Sequence, residues 1–228
     1  DAKDARGIAD QSRMRGADLP VLRPGDDLIT ELRMLTAHRA DLVADRTRTI
    51  NRLRQQLLAV CPALERVAEL TQDRGWAVLL AHYQRPKAIR RTGVSRLTKV
   101  LAAAGVRNAA TIAAAAVTAA KAQTVRLPGE DVGAGLVAEL AQGVMNLDER
   151  IKHTDADIEE RFRRHPLAEV ITSLPGMGFR LGAEFLAVVG DPALLESPDQ
   201  LAAWAGLAPV SKDSGKRTGR LHTPKRYS

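Results

Sequence analysis

Between Leu28 and Val60 the residues Leu28, Leu32, Leu35, Leu42, Val43, Ile50, Leu53, Leu57 and Val60 recur mostly at intervals of three, four and seven. That spacing lines one face of an α-helix. Asp26 or Asp27 stands where a capping carboxylate belongs, and Cys61-Pro62 ends or kinks the helix, because proline has no N–H to donate. A helix of more than 30 residues exceeds ordinary globular length and favours a coiled-coil-like arm. Arg39 and Arg46 interrupt the stripe, so its seam is imperfect. The reverse face carries Arg48, Arg52 and Arg54, and from Glu31 to Arg54 six arginines stand against Glu31, Asp41 and Asp45. Such a surplus reads either as a solvated face or as a phosphate contact through residues such as Arg48 and Arg52.

A second long stripe follows the break Leu127-Pro128-Gly129: Leu136, Leu140, Val144, Leu147, Ile151, Ile158 and Phe162. From Glu139 to His165 it carries seven acids and five bases, a poor nucleic-acid face, and reads as the helix that returns along the first. Shorter helices are expected near 63–72, 76–84, 94–104 and 108–122. Residues 86–99, PKAIRRTGVSRLTK, hold five Lys/Arg and no acid and read as a cationic turn, either a phosphate contact or a stretch kept basic for solubility alone. The apolar content is 45%, dominated by Ala and Leu, with only 3% aromatics. That mixture packs helices better than sheets, so the fold class is mainly α. The most apolar window, Leu101 to Ala122, is interrupted by Arg107, Asn108 and Lys121, so no membrane span is expected.

A net charge of +7 points to a polyanionic partner, most simply nucleic acid. The single Cys61 excludes an internal disulfide and any multi-cysteine zinc site, fits a reducing compartment, and suits a small core residue. Residues 167–191 place Pro175-Gly176-Met177-Gly178 between two helical stretches, a helix-hairpin-helix pattern. Gly176 and Gly178 permit a tight turn with N–H groups exposed at a helix start, beside Arg180, either a place to hold a phosphate backbone without reading bases or a plain connector between helices. Ser197-Pro198 then supplies a cap and a first helical residue, with Gly206 as the stop. Last comes VSKDSGKRTGRLHTPKR, Val210 to Arg226, in which Ser214 is surrounded by Lys212, Lys216, Arg217 and Arg220. On residue types alone this is either a solvated basic turn or a hydroxyl set to act on a polyanion. The chain opens on Asp1 without Met and closes inside a basic run, so both ends are expected to be cut.

These pieces, in this order, resemble one family. GLAPVSKDSGKR at 206–217, preceded by SLPGMGFRLGAEFLAVVGD, resembles the C-terminal domain of DEDD transposases of the insertion sequence 110 type. DAKDARGIADQSRMRG, LPVLRP and RADLVADRTRTINRLRQQL resemble the end of that family's RuvC-like nuclease domain and its coiled-coil arm. The resemblance implies a remnant of the nuclease domain at 1–25, an antiparallel helical arm over 26–165 and a C-terminal transposase domain over 166–228. It further implies a DNA recombinase of the bacterial cytoplasm and nucleoid, acting as a dimer or tetramer with a structured non-coding guide RNA.

By position Ser214 matches the family's nucleophile, while Asp1 and Asp4 match the last two of its four acids, which hold Mg2+. Three residues apart on a helix, Asp1 and Asp4 face one way and can share a cation, although acids at a helix start also serve capping. A serine hydroxyl needs a base or metal to become a nucleophile, and the four cations around Ser214 suit the charge that grows on phosphorus. The first two acids would precede Asp1, so the chain is expected to be inactive alone. The rival expectations are a non-catalytic helix-hairpin-helix module that binds nucleic acid and a purely structural coiled-coil oligomer.

Overall fold

The computed structural model describes residues 2–15, 27–190, 195, 197–205, 207, 210–211 and 221–222. Within them the chain is mainly α-helical. The helices are α1 Ala2–Arg15, α2 Asp27–Val60, α3 Pro62–Glu65, α4 Arg74–His82, α5 Pro86–Ala103, α6 Ala109–Ala122, α7 Glu130–Arg163, α8 Ala168–Thr172, α9 Phe179–Val189 and α10 Pro198–Trp204. A two-residue strand β1, Val210–Ser211, pairs antiparallel with β2, Leu221–His222. The chain divides into two compact units, Glu31–Phe185 and, together, Asp1–Thr30 with Leu186–Ser228. Among the described residues no helix is long and apolar enough to cross a membrane.

The stripe that begins at Leu28 folds as one helix of 34 residues, and its counterpart α7 has the same length. Each is about 51 Å long at 1.5 Å per residue. Leu32, Leu42, Ile50, Leu53, Leu57 and Val60 of α2 are buried, as the spacing predicts, while Val43 lies off the line and is exposed. Arg161 Nε donates to Glu31 Oε2 at 3.0 Å, Arg39 Nε to Asp155 Oδ1 at 2.5 Å, and Arg46 Nε to Asp148 Oδ1 at 2.5 Å. As position advances along α2 its partner retreats along α7, so the two run antiparallel. The two arginines that interrupt the stripe are therefore answered across it by two carboxylates at the same seven-residue interval. On α7 the buried line passes through Ala134, Val137, Ala141 and Val144, and Leu136 is exposed. The small residues let the backbones approach: a Cβ added at Gly133 would stand 2.6 Å from Val60 Cγ2.

At the far end of α2 the intervening helices close a core. Leu57, Val60, Cys61 and Leu64 meet Trp76, Leu79 and Leu80 of α4, Ile89, Leu97 and Leu101 of α5, the Ala-rich inner face of α6, and Val137 to Val144 of α7. Carbonyls left over at helix ends find donors. Gln123 Nε2 donates to Val60 O at 3.0 Å, and Arg90 Nη1 reaches Ala120 O and Gln123 O at 2.5 and 2.7 Å. Asp73 caps α4 by accepting from Gly75 N at 2.8 Å, and Asn108 donates to its other oxygen.

Residues 86–99 are not a turn. They form most of α5, which starts on Pro86 after an extended Arg85 and kinks at Gly93, whose φ of 72° and ψ of 167° leave the helical region. Glycine tolerates that conformation because it has no Cβ, so the breaker residue bends the helix without ending it. The expected 63–72 helix is likewise shorter, Pro62–Glu65 followed by turns.

In the same unit α8 leads through Pro175 and Gly176, at φ 82°, into α9. The first turns of α9 lie against the end of α7 at Gly182, where an added Cβ would stand 2.6 Å from Phe162 Cζ and 3.0 Å from Ile171 Cγ2. The Phe162 ring is buried and cannot swing aside. Gly182→Ala is therefore expected to lose about 1–2 kcal/mol net in urea unfolding, because overpacking at about 1–3 kcal/mol outweighs the roughly 1 kcal/mol that alanine gains in a helix.

In the other unit Ser197 caps α10, its side chain accepting from Gln200 N at 3.3 Å, with Pro198 at the first helical position. The pairing of Val210 with His222 and of Ser211 with Leu221 brackets residues 212–220.

Candidate nucleic-acid interface

The hairpin residues share one turn. Gly176 takes the left-handed conformation that the turn requires, Gly178 immediately precedes α9, and both are exposed. Arg180 lies in the first turn of α9. Its Nη2 donates to Asp155 Oδ2 at 2.6 Å, and its guanidinium carbon sits 5.4 Å from the Phe179 ring centroid. Asp155 thus holds Arg180 on one oxygen and Arg39 on the other, joining α2, α7 and α9 through one buried carboxylate. Nothing local in the sequence singles out this constellation. The signal that could have found it is the matched seven-residue step between Arg39 and Arg46 and between Asp148 and Asp155.

A cleft of about 480 Å³ opens beside this brace, lined by Asp148, Lys152, Asp155, Glu159, Phe179 and Arg180 among others. Three carboxylates against two cations make it a poor seat for phosphate. The exposed half of Arg180 and the turn N–H groups are better placed for such a contact than the cleft floor.

On the outer face of α2, Arg48 Nη2 donates to Asp45 at 2.5 Å, an exposed pair one turn apart, and Arg54 lies 3.6 Å from Glu65. Arg52 is exposed and has no partner among the described residues. The expected phosphate contacts on this face therefore differ: Arg52 is available, and Arg48 shares its charge with a neighbouring acid.

Asp4 is exposed in the first turn of α1. Asp1, Ser214, Lys212, Lys216, Arg217 and Arg220 lie outside the described residues. Among the described residues no group of three or more His, Cys, Asp or Glu side chains is gathered to hold a metal ion. Cys61 is fully buried, and burial pushes its thiol above the ordinary range despite the opposing backbone contact at Leu64. It is a core residue, with the thiol held neutral and unreactive.

Residues 1–62 match a DEDD family of the IS110 type described as Transposase, and residues 168–228 match the Transposase IS116/IS110/IS902 family. Over all 228 residues the chain is 54% identical to the insertion element IS116 uncharacterized 44.8 kDa protein of Streptomyces clavuligerus, covering 57% of that relative. It is 52% identical, again over its full length and 57% of the relative, to the insertion element IS900 uncharacterized 42 kDa protein of Mycobacterium paratuberculosis. Identity is 36% over 226 residues to the insertion element IS110 uncharacterized 43.6 kDa protein of Streptomyces coelicolor, covering 99% of this chain and 56% of the other. The chain thus spans a little over half the length of the curated relatives it matches. No solved structure matches it. With transposase matches at both ends and insertion-element relatives aligned along its whole length, the chain belongs to the IS110-type family of insertion-element transposases.

Proposed function

We propose that this chain is the arm and C-terminal part of a DNA recombinase that breaks and rejoins DNA through a serine ester, guided by a structured RNA. Ser214 Oγ attacks the phosphorus of a DNA phosphodiester and gives up its proton. The bond from phosphorus to the departing strand end breaks, that oxygen is protonated, and a phosphoserine–DNA ester remains until a second DNA hydroxyl displaces the serine. Lys212, Lys216, Arg217 and Arg220 neutralise the charge that accumulates on the phosphoryl oxygens. Gly215 leaves the backbone open to the phosphate's approach. The observation that most supports this reading is the family match over residues 168–228, which takes in the serine and all four cations. The β1–β2 pairing on either side of 212–220 supports it further, since it anchors both ends of the segment.

Other parts of the proposal have their own residues. Mg2+ takes one or two carboxylates together with substrate phosphates. Asp1 and Asp4 fit that share, Asp4 being exposed on α1, with the family's remaining acids coming from the rest of the protein. When bound, the ion polarises phosphate oxygens. The turn at Gly176 and Gly178 with Arg180 acts as a helix-hairpin-helix clamp on the DNA backbone, and Arg48 and Arg52 extend the contact along α2. The α2–α7 pair serves as a coiled-coil arm that brings protomers together in a dimer or tetramer. The nuclease-domain remnant, arm and C-terminal domain then divide at 1–25, 26–165 and 166–228.

In the full-length protein, Ser214→Ala is expected to abolish covalent protein–DNA adducts trapped by denaturing gel while leaving DNA affinity within about twofold, since a neutral hydroxyl contributes little to phosphate binding. Adducts that persist in this variant would remove Ser214 from its role. The alternative, a non-catalytic nucleic-acid-binding module, is carried by the exposed cations of α2 and α5 and predicts binding with no adduct from either protein.

A further inference from the structure

We infer that the outer face of α5, presenting Lys87, Arg91, Arg96 and Lys99, is a docking surface for the phosphate backbone of duplex DNA. Residues 74–129 contain ten Lys/Arg and no Asp or Glu. The whole chain carries +7, so everything outside this segment is net negative. The chain thus has two strongly basic runs, this one across α4, α5, α6 and their connections, and residues 210–226 with six Lys/Arg against one Asp.

Four of the ten cations are engaged. Arg74 reaches Glu149 at 3.1 Å, Arg85 and Arg126 reach Asp131 at 3.1 and 2.6 Å, and Arg90 donates to the carbonyls at the end of α6. Lys87, Arg91, Arg96, Lys99, Arg107 and Lys121 are exposed and have no partner among the described residues. Four of these six are on α5. Lys87 and Arg91, one turn apart, lie on the side of the helix opposite the buried Ile89. Arg96 and Lys99 face away from the buried Leu97 and Leu101. Lys87 and Arg91 precede the kink at Gly93 and Arg96 and Lys99 follow it, so the four cations form two pairs, each spanning about one helical turn.

Charge and composition select the partner. Like charges three and four residues apart weaken a helix, and a face needed only for solubility would intersperse acids, as α7 does. Between Gln84 and Gly129 there is no aromatic residue, hence no platform on which single-stranded bases could stack. The hydroxyls of Thr92 and Thr98 are spent on Ala88 O and Val94 O. What remains is a set of cations on both sides of the Gly93 kink that can hold phosphates and read no bases. The choice of DNA over RNA rests on the recombinase reading above.

The test uses the 228-residue chain and a fluorescent duplex of arbitrary sequence, roughly 30 base pairs long, titrated between about 50 and 200 mM salt. Two variants lose the same four charges: Lys87→Gln, Arg91→Gln, Arg96→Gln, Lys99→Gln, and as control Arg150→Gln, Lys152→Gln, Arg163→Gln, Arg164→Gln. The slope of log affinity against log salt should fall by about 3–4 in the α5 variant and by less than about 1 in the control. Four such contacts amount to a roughly hundredfold change in affinity across that salt range. Equal slopes in the two variants, or an α5 variant as salt-sensitive as the parent, would overturn the inference. So would a loss confined to a double-stranded RNA of the same length. Should the fourfold variant lose its helical circular dichroism, the pairs Lys87→Gln/Arg91→Gln and Arg96→Gln/Lys99→Gln should each remove about half the slope. Failure of the Ser214→Ala adduct experiment leaves these slopes untouched, so the two readings fail separately.

Discussion

Asp155→Ala is expected to lower the unfolding free energy of the chain by about 3 kcal/mol, measured by urea denaturation with circular dichroism. The Asp155 side chain is 11% exposed and its partner Arg39 20% exposed, so removing the carboxylate strands a guanidinium that water reaches poorly. Breaking a buried pair from one side costs about 3–5 kcal/mol. The lower end applies here because Arg180, half exposed, can turn to solvent. Asp148→Ala removes a more accessible carboxylate and should cost about half as much. The informative variant is the double replacement Arg39→Leu/Asp155→Leu. A buried ion pair exchanged for packed apolar residues is often neutral or stabilising by about 1–4 kcal/mol. If the double variant is as stable as the parent while Asp155→Ala is not, the pair fixes the register of α2 against α7 rather than the stability of their packing. A loss in Asp155→Ala below about 1 kcal/mol would mean that the brace is a surface contact only.

That brace also marks how far local pattern can be read. The two long helices were legible because a stripe of apolar residues at helical spacing depends only on neighbours within the same segment. Arg39 and Arg46 looked like defects in that stripe because the residues that answer them, Asp155 and Asp148, lie more than a hundred positions away. On α7 the leucines drew attention, yet the buried line runs through Ala134 and Ala141, since close backbone approach at Gly133 favours small side chains over large ones. Residues 86–99 read as a turn from their run of cations without an acid, whereas packing of Ile89 and Leu97 in the core holds helix on both sides of the kink at Gly93. Of the candidate site residues, Gly176 and Gly178 stand out from the Pro-Gly-Met-Gly pattern between two helical stretches. Ser214, Asp1 and the cations at 212, 216, 217 and 220 are candidates through family resemblance, and they lie outside the described residues.

The same segregation seen in packing runs through the charges. α7 carries the acids that answer α2, Arg74 and Arg85, and α5 carries cations that no acid answers. A chain that interleaved its charges evenly would have the same net +7 and a far weaker field at any one surface. Half of the ten cations of residues 74–129 stand on α5, braced from behind by Arg90 on the end of α6, and the effect of such a cluster on association should disappear with salt faster than net charge alone predicts.

Phe162→Ala should be the most destabilising single substitution in the unit Glu31–Phe185, at about 3–5 kcal/mol, because it empties a fully buried site at the end of α7. Its ring fills the space against Gly182 that a methyl group on α9 would otherwise enter. The two positions are therefore coupled, and the coupling has a definite sign. In the parent, Gly182→Ala forces the added carbon onto the ring and destabilises. In the Phe162→Ala background that obstacle is gone, and the same substitution should be neutral or stabilising by about 1 kcal/mol through helix propensity and partial filling of the cavity. A double-mutant cycle in urea should then give an interaction of about 1–3 kcal/mol. Strict additivity would mean that α9 is held on α7 by the Asp155–Arg180 brace without the aromatic contact. Asp155→Ala would in that case abolish the docking of α9, a loss visible as a lower unfolding m-value, where the packed arrangement predicts an unchanged one.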